Sequence, residues 1–392
     1  MIRDMRVLFS TTAGAGHFGP MVPFARACHD AGHEVKVAAP ASFADAVAGA
    51  GLDHAPFADV PPEVLGQIFG RLPELSLDEA NRVVLTEVFG RLDAQAALPG
   101  ITEIMATWRP DVVVREFCEF GSLVAAEKAG IPHAEVAIGF AAAYVATLPI
   151  VATPLAELDA IAGLPEGTAY QAVASAPVLS CLPAEVDGEA RTGGPRFRRF
   201  RVASLTAGQG PPPPAWGDED HPLVYVSFGS VAAGLPPFAG IYRSVLDALA
   251  GESLRVLMTT GGAIEPGALG PLPVNACVEQ WRPQASMMPH TQAVVGHGGF
   301  GTTITALAAG VPQVVIPLFS FDQFVNAEQV TAIGAGVGLD GGVGAAPELA
   351  PALAKVLGEP TYRERAAGVA AAMATLPDVA ASVSYLEQLA GR

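Results

Sequence analysis

The chain has 392 residues, 51% of them hydrophobic and 16% charged, with a net charge of −17; that length predicts about two domains with well-buried cores. The acidic balance argues against a nucleic-acid partner, which needs a basic surface, and no unbroken apolar run reaches the ~18 residues of a membrane span. Cys28, Cys118, Cys181 and Cys277 show no metal-ligand spacing and read as small buried residues of a reducing cytoplasm.

Met1 to Arg6 leads straight into an apolar strand over residues 6 to 10, leaving no room for a secretory leader. A glycine-rich turn follows, then a helix over 20 to 31 and a strand over 34 to 38. Further strands are expected at 111 to 114, 133 to 137 and 178 to 181, with irregular helical segments over 60 to 105 and 139 to 175. Strands alternating with helices predict a parallel sheet covered on both faces. The basic run Arg196-Phe197-Arg198-Arg199-Phe200-Arg201 reads as a solvated loop or an interdomain contact. Four successive prolines, Pro211 to Pro214, form a stiff extended spacer. They set a first domain at 1–208, a linker at 209–221 and a second domain at 222–376, with a terminal helix in 377–392. Strands at 223 to 227, 255 to 258, 293 to 295 and 313 to 316 then repeat the first pattern. The fold class is α/β, with two Rossmann-like domains built on parallel sheets.

Gly14-Ala15-Gly16-His17-Phe18-Gly19 matches the G-x-G-x-x-G dinucleotide fingerprint after a strand. An NAD site also needs an acid at the end of the second strand, and that strand ends Val37-Ala38-Ala39-Pro40. The motif therefore reads as a tight turn ahead of Pro20. His17 lies beyond the carboxyl end of the first strand, where ligands of open α/β sheets bind. Its imidazole, with an ordinary pKa near ~6.5, can take a hydroxyl proton at neutral pH, although a loop histidine taken alone is more often structural. No P-loop and no G-x-S-x-G elbow occurs, and Asp218-Glu219-Asp220 reads as solvated acid in the linker.

The second half carries the sharper signal. Gly296-His297-Gly298-Gly299-Phe300-Gly301-Thr302-Thr303 follows the apolar run Ala293-Val294-Val295 and precedes a helical segment ended by Gly310. Glycines at a strand-to-helix turn let backbone approach a ligand, and the helix N-terminus suits an anion. Ser230, in the turn opening the second domain, can donate to a phosphate or cap a helix.

From Trp281-Arg282-Pro283-Gln284 to Asp322-Gln323, this stretch resembles the nucleotide-sugar signature of the GT-B glycosyltransferases. The likeness is greatest to bacterial enzymes that decorate antibiotics, of the calicheamicin and macrolide types. The resemblance implies that Trp281 stacks on the nucleobase and Gln284 meets the ribose. His297, Gly299, Gly301 and Thr302 would hold the diphosphate, and Asp322 and Gln323 would bind sugar hydroxyls. It makes His17 the general base. Glu116, ending the strand after Pro110-Asp111, becomes its orienting carboxylate where aspartate is commoner, though on its own residues Glu116 could pair with Arg115 at the surface. Many members carry a glutamate at the position of Thr305 to grip ribose hydroxyls, and its absence leans towards a deoxyribose, hence a dTDP-sugar.

The implied architecture is two Rossmann-like domains facing a cleft, with a helix over 380 to 389 returning to the first. The implied activity is inverting, metal-independent transfer of a deoxysugar from a dTDP-sugar to a hydroxyl of an apolar natural-product aglycone. It involves no cofactor and no metal, and takes place in the cytoplasm. A UDP-sugar transferase and a GT-B sugar epimerase are the alternatives; an NAD oxidoreductase or a non-catalytic partner protein is more remote. A homodimer stays open.

Overall fold

The computed structural model describes residues 4–188, 196–206 and 210–392. The domain boundary expected at 208/209 lies outside them. The chain divides into two compact units: Met1–Cys181, Glu189–Val202 and Pro377–Arg392 in one, Leu182–Gly188 and Ala203–Leu376 in the other.

The first unit is built on seven parallel strands: β1 Arg6–Ser10, β2 Glu34–Pro40, β3 Asp53–Phe57, β4 Val112–Glu116, β5 His133–Val136, β6 Val178–Ser180 and β7 Phe197–Arg199. Their order is β3-β2-β1-β4-β5-β6-β7. Winding starts outward from β1 in one direction and resumes from β4 in the other, so β1 and β4 flank the switch point where open α/β sheets bind ligands. All five residues of β4 are buried, as expected of a strand covered on both faces. On one face Val7, Phe9, Val112 and Val114 pack with Phe24, Ala25 and Cys28 of helix Val22–Asp30. On the other, Leu8 and Val113 meet Ala97, Ile101 and Met105 of helix Ala94–Trp108. Helix Ala381–Leu389 inserts Val383 and Leu386 into the first of these cores.

The second unit has six parallel strands: β8 Leu223–Ser227, β9 Arg255–Thr259, β10 Ala276–Glu279, β11 Ala293–Gly296, β12 Gln313–Val315 and β13 Gly336–Gly338. The order β10-β9-β8-β11-β12-β13 puts its switch point between β8 and β11. Val224, Val226, Val256, Val295 and Val314 form its core with Tyr242, Val245, Leu246 and Leu353.

Several expectations change. The turn around His17 is helical: one α-turn at Ala15–Phe18 and a 3-10 turn at Gly19–Met21 precede helix Val22–Asp30. The basic run is a sheet edge. Phe197 is buried in β7, Arg196 Nη1 donates to the carbonyls of Val173 and Ala174 at 3.0 and 2.7 Å, and the Arg198 guanidinium lies 5.1 Å over the Tyr385 ring. Among the described residues no single helix is long and apolar enough to cross a membrane.

Candidate active and donor sites

At the first switch point β1 and β4 run side by side, with Ser10 in register with Arg115. Their carboxyl ends bring together residues far apart in sequence. Glu116 is wholly buried, and its Oε1 accepts from the Thr12 N–H at 3.1 Å and the Thr12 hydroxyl at 3.0 Å. Its Oε2 accepts from the Cys118 N–H at 2.7 Å and lies 3.1 Å from His17 Nδ1. Burial works against this carboxylate's charge. The His17 imidazole and the Cys118 and Thr12 donors outweigh it and hold the group below its ordinary pKa. A carboxylate at Nδ1 keeps a proton there and leaves Nε2 as the lone-pair nitrogen.

Glu116 is therefore not a surface residue paired with Arg115. Arg115 is itself fully buried: it bonds Glu135 Oε2 at 2.7 Å and the Glu116 carbonyl at 3.1 Å, fixing the turn that presents Cys118.

Two neighbours escaped the sequence reading. Helix residues Val84–Asp93 have the π form, a rarity that clusters at functional sites. It sets the Phe89 ring 5.3 Å from that of His17. Asp93 ends it, with a carboxyl pushed up to about 7 by burial first and then by Glu116, while His17 pulls the other way. An acid within a helical segment reads as solvated, so only the ten-residue π stretch, invisible to periodicity, reveals it.

At the second switch point, helix Phe300–Ala308 begins one residue past Gly299, its N-cap. The first-turn N–H groups of such a helix have no intrahelical partner and face an anion. Three glycines are sterically required around His297. A Cβ on Gly299 would sit 2.5 Å from the imidazole, one on Gly229 would sit 2.8 Å from it, and one on Gly298 would sit 2.6 Å from the Gln323 carbonyl oxygen. A Cβ on Gly301 would meet nothing within 4 Å. Burial lowers the His297 pKa to about 4, a hydrogen bond to the Ser227 backbone opposing it. The ring is thus neutral at physiological pH, and its single N–H is engaged by the Ser227 backbone.

Gln284 Nε2 donates to the Ser227 hydroxyl at 3.2 Å and the Thr302 hydroxyl at 3.0 Å. Trp281 is 73% exposed, an open stacking face. Asp322 and Gln323 lie in the first turn of helix Phe321–Ala332. The Asp322 carboxylate accepts from the Ser320 hydroxyl, and Gln323 Oε1 accepts from the N–H groups of Leu318 and Phe319 at 2.8 and 3.2 Å. Ser230 is exposed in the turn after β8 and caps no helix, because the next 3-10 turn starts from Val231 without a side-chain cap.

Two doubly wound sheets, each with its polar groups gathered at its own switch point, define the GT-B class of nucleotide-sugar glycosyltransferases. The family model for the N-terminal domain of erythromycin biosynthesis protein CIII-like proteins matches residues 26–155, and that for their C-terminal domain matches 243–389. The L-demethylnoviosyl transferase of Streptomyces niveus is 31% identical over 345 residues, 86% of this chain and 85% of that one. The TDP-daunosamine transferase DnrS of Streptomyces peucetius is 30% identical across 99% and 97% of the two chains. The structure of the spinosyn rhamnosyltransferase SpnG complexed with thymidine diphosphate aligns at TM-score 0.79 and 23% identity, covering 98% of this chain and 100% of its own. The chain belongs to this family of natural-product glycosyltransferases, and it is a glycosyltransferase enzyme.

Proposed function

We propose that the enzyme transfers a deoxysugar from a dTDP-sugar to a hydroxyl of an apolar natural-product aglycone, with inversion and without a metal. The observation that carries this reading is the 3.1 Å approach of His17 Nδ1 to the buried Glu116 carboxylate. His17 Nε2 takes the acceptor's proton, and the freed oxygen attacks the anomeric carbon from the face opposite the diphosphate. The bond from that carbon to the phosphate oxygen breaks, and its electron pair leaves with the dTDP. Glu116 stabilises the imidazolium that forms.

The leaving charge is met by the N–H groups at the start of helix Phe300–Ala308, with the neutral ring of His297 packed against the Gly299 that caps it. Donors already aimed at a developing charge stabilise it without reorganisation, so magnesium is not required.

A dTDP donor is favoured by Thr305, whose hydroxyl donates to the Gly301 carbonyl at 2.7 Å and offers no carboxylate to a ribose diol. The relatives point the same way: DnrS is named for a TDP-sugar, and the SpnG structure is complexed with thymidine diphosphate. Cys28, Cys118, Cys181 and Cys277, buried or half-buried, accord with a cytoplasmic setting.

The test is a panel of dTDP-sugars and hydroxylated aglycones incubated with enzyme in EDTA, with the product's anomeric configuration read by NMR. An inverted glycoside formed at an undiminished rate is expected. Retained configuration, or strict dependence on magnesium, rules the mechanism out.

A further inference from the structure

We propose that His17, Glu116 and Cys118 form an inhibitory site for a thiophilic divalent cation, zinc foremost. An imidazole nitrogen, a carboxylate oxygen and the Cys118 sulfur all lie within 4.8 Å of one another, the one such grouping among the described residues. Nitrogen, oxygen and sulfur are the donors zinc takes, and three protein ligands plus water make a tetrahedral site with one open position. Bond lengths of ~2.0–2.3 Å place zinc ligands roughly 3.3–3.8 Å apart, so the cluster need close by at most ~1–1.5 Å.

Two of the three ligands share a rigid turn. Cys118 follows Glu116 immediately after β4, and its N–H is bonded to the Glu116 carboxylate at 2.7 Å. His17, with 22% of its side chain exposed, gives solvent access. On binding, the Cys118 thiol releases its proton to solvent and the Glu116 carboxylate needs no change; the cation takes the place of the proton on Nδ1, the nitrogen facing Glu116, and that proton passes to Nε2, which can then no longer accept one. No electron is exchanged. Magnesium and calcium, which demand six or more oxygen ligands, do not fit this donor set.

Ligation does not depend on the catalytic reading, whereas inhibition does, because it acts by removing the base. Cobalt(II) serves as the probe for ligation, since thiolate ligation produces an intense charge-transfer absorption. The metal-free wild type is expected to develop that band, and Cys118→Ser to lack it. Zinc is expected to inhibit wild-type transfer, with the half-inhibitory concentration rising more than ~10-fold in Cys118→Ser relative to that variant's own metal-free rate, outer-shell changes alone costing that much. Cys118→Ala repeats both measurements should the serine variant misfold. No thiolate band in the wild type, or equal zinc inhibition with and without the sulfur, overturns the site. A band with an unaffected rate retains ligation but counts against His17 as the base, so the two claims fail separately.

Discussion

Asn326 Nδ2 donates to the Gly298 carbonyl at 2.6 Å, pinning the turn after β11 to helix Phe321–Ala332. Gly298 itself stands at φ +84°, and a Cβ there would press to 2.6 Å on the Gln323 carbonyl oxygen. The turn after β11 and the helix bearing Asp322 and Gln323 are therefore one fitted piece, with no spare volume between them.

That fit separates two glycines. Gly298→Ala must displace backbone, and it is expected to destabilise the protein by at least ~1–3 kcal/mol, the usual cost of overpacking. Gly301→Ala enters open space within a helix, so stability holds or rises slightly. Its cost falls instead on dTDP affinity, by ~10-fold or more, about 1.4 kcal/mol. Chemical denaturation and calorimetry on both variants distinguish these outcomes; a Gly301→Ala variant that binds dTDP normally removes this position from the diphosphate contact.

Donor choice is expected to follow Thr305. At a free concentration about a hundredfold above its dissociation constant, dTDP raises stability by ~2.7 kcal/mol, and UDP at the same concentration by less. Thr305→Glu is expected to narrow or invert that difference by supplying a carboxylate for the ribose. Equal shifts with the two nucleotides in the wild type defeat the argument from Thr305.

Asp93 makes stability depend on pH in a defined direction. Its folded-state pKa of about 7 exceeds the ~3.9 of an unfolded aspartate. Between those values the native chain holds a proton that the unfolded chain has lost, so the stabilisation is complete below pH ~3.9 and is lost as pH rises through about 7. Asp93→Asn stays neutral throughout. Urea midpoints are expected to show the variant gaining on the wild type from pH 5 to pH 8, each unit of displacement being worth about 1.4 kcal/mol. A constant difference across that range contradicts a buried, proton-holding Asp93.

The parts of the fold that were legible are the interior ones. β1, β4, β8 and β11 announce themselves as apolar runs because strands covered on both faces tolerate little else. The four strands that went unread, β3, β7, β10 and β13, are the four sheet edges. Edges admit proline, glycine and charge, as in Pro56, the arginines of β7 and Gly336–Gly338, so their strand form is set by pairing with a neighbour rather than by local preference. The helical turn carrying His17 was hidden for a related reason: Gly14, Gly16, Gly19 and Pro20 spell a turn, and only packing of Phe18 and Met21 into the core makes it helical. His17 and Glu116 were nameable through family resemblance, and their meeting at one switch point is what the topology adds. Phe89 and Asp93 had no signal at all, since they reach the site through a π segment that no hydrophobic period encodes.

The central claim is that His17, held by Glu116, removes the acceptor's proton. Turnover of His17→Ala, measured alongside its dTDP affinity by calorimetry, tests it most directly. Turnover is expected to fall ~10²–10⁴-fold, the usual contribution of a general base, while dTDP binding stays at the wild-type value; a variant that turns over normally would contradict the account.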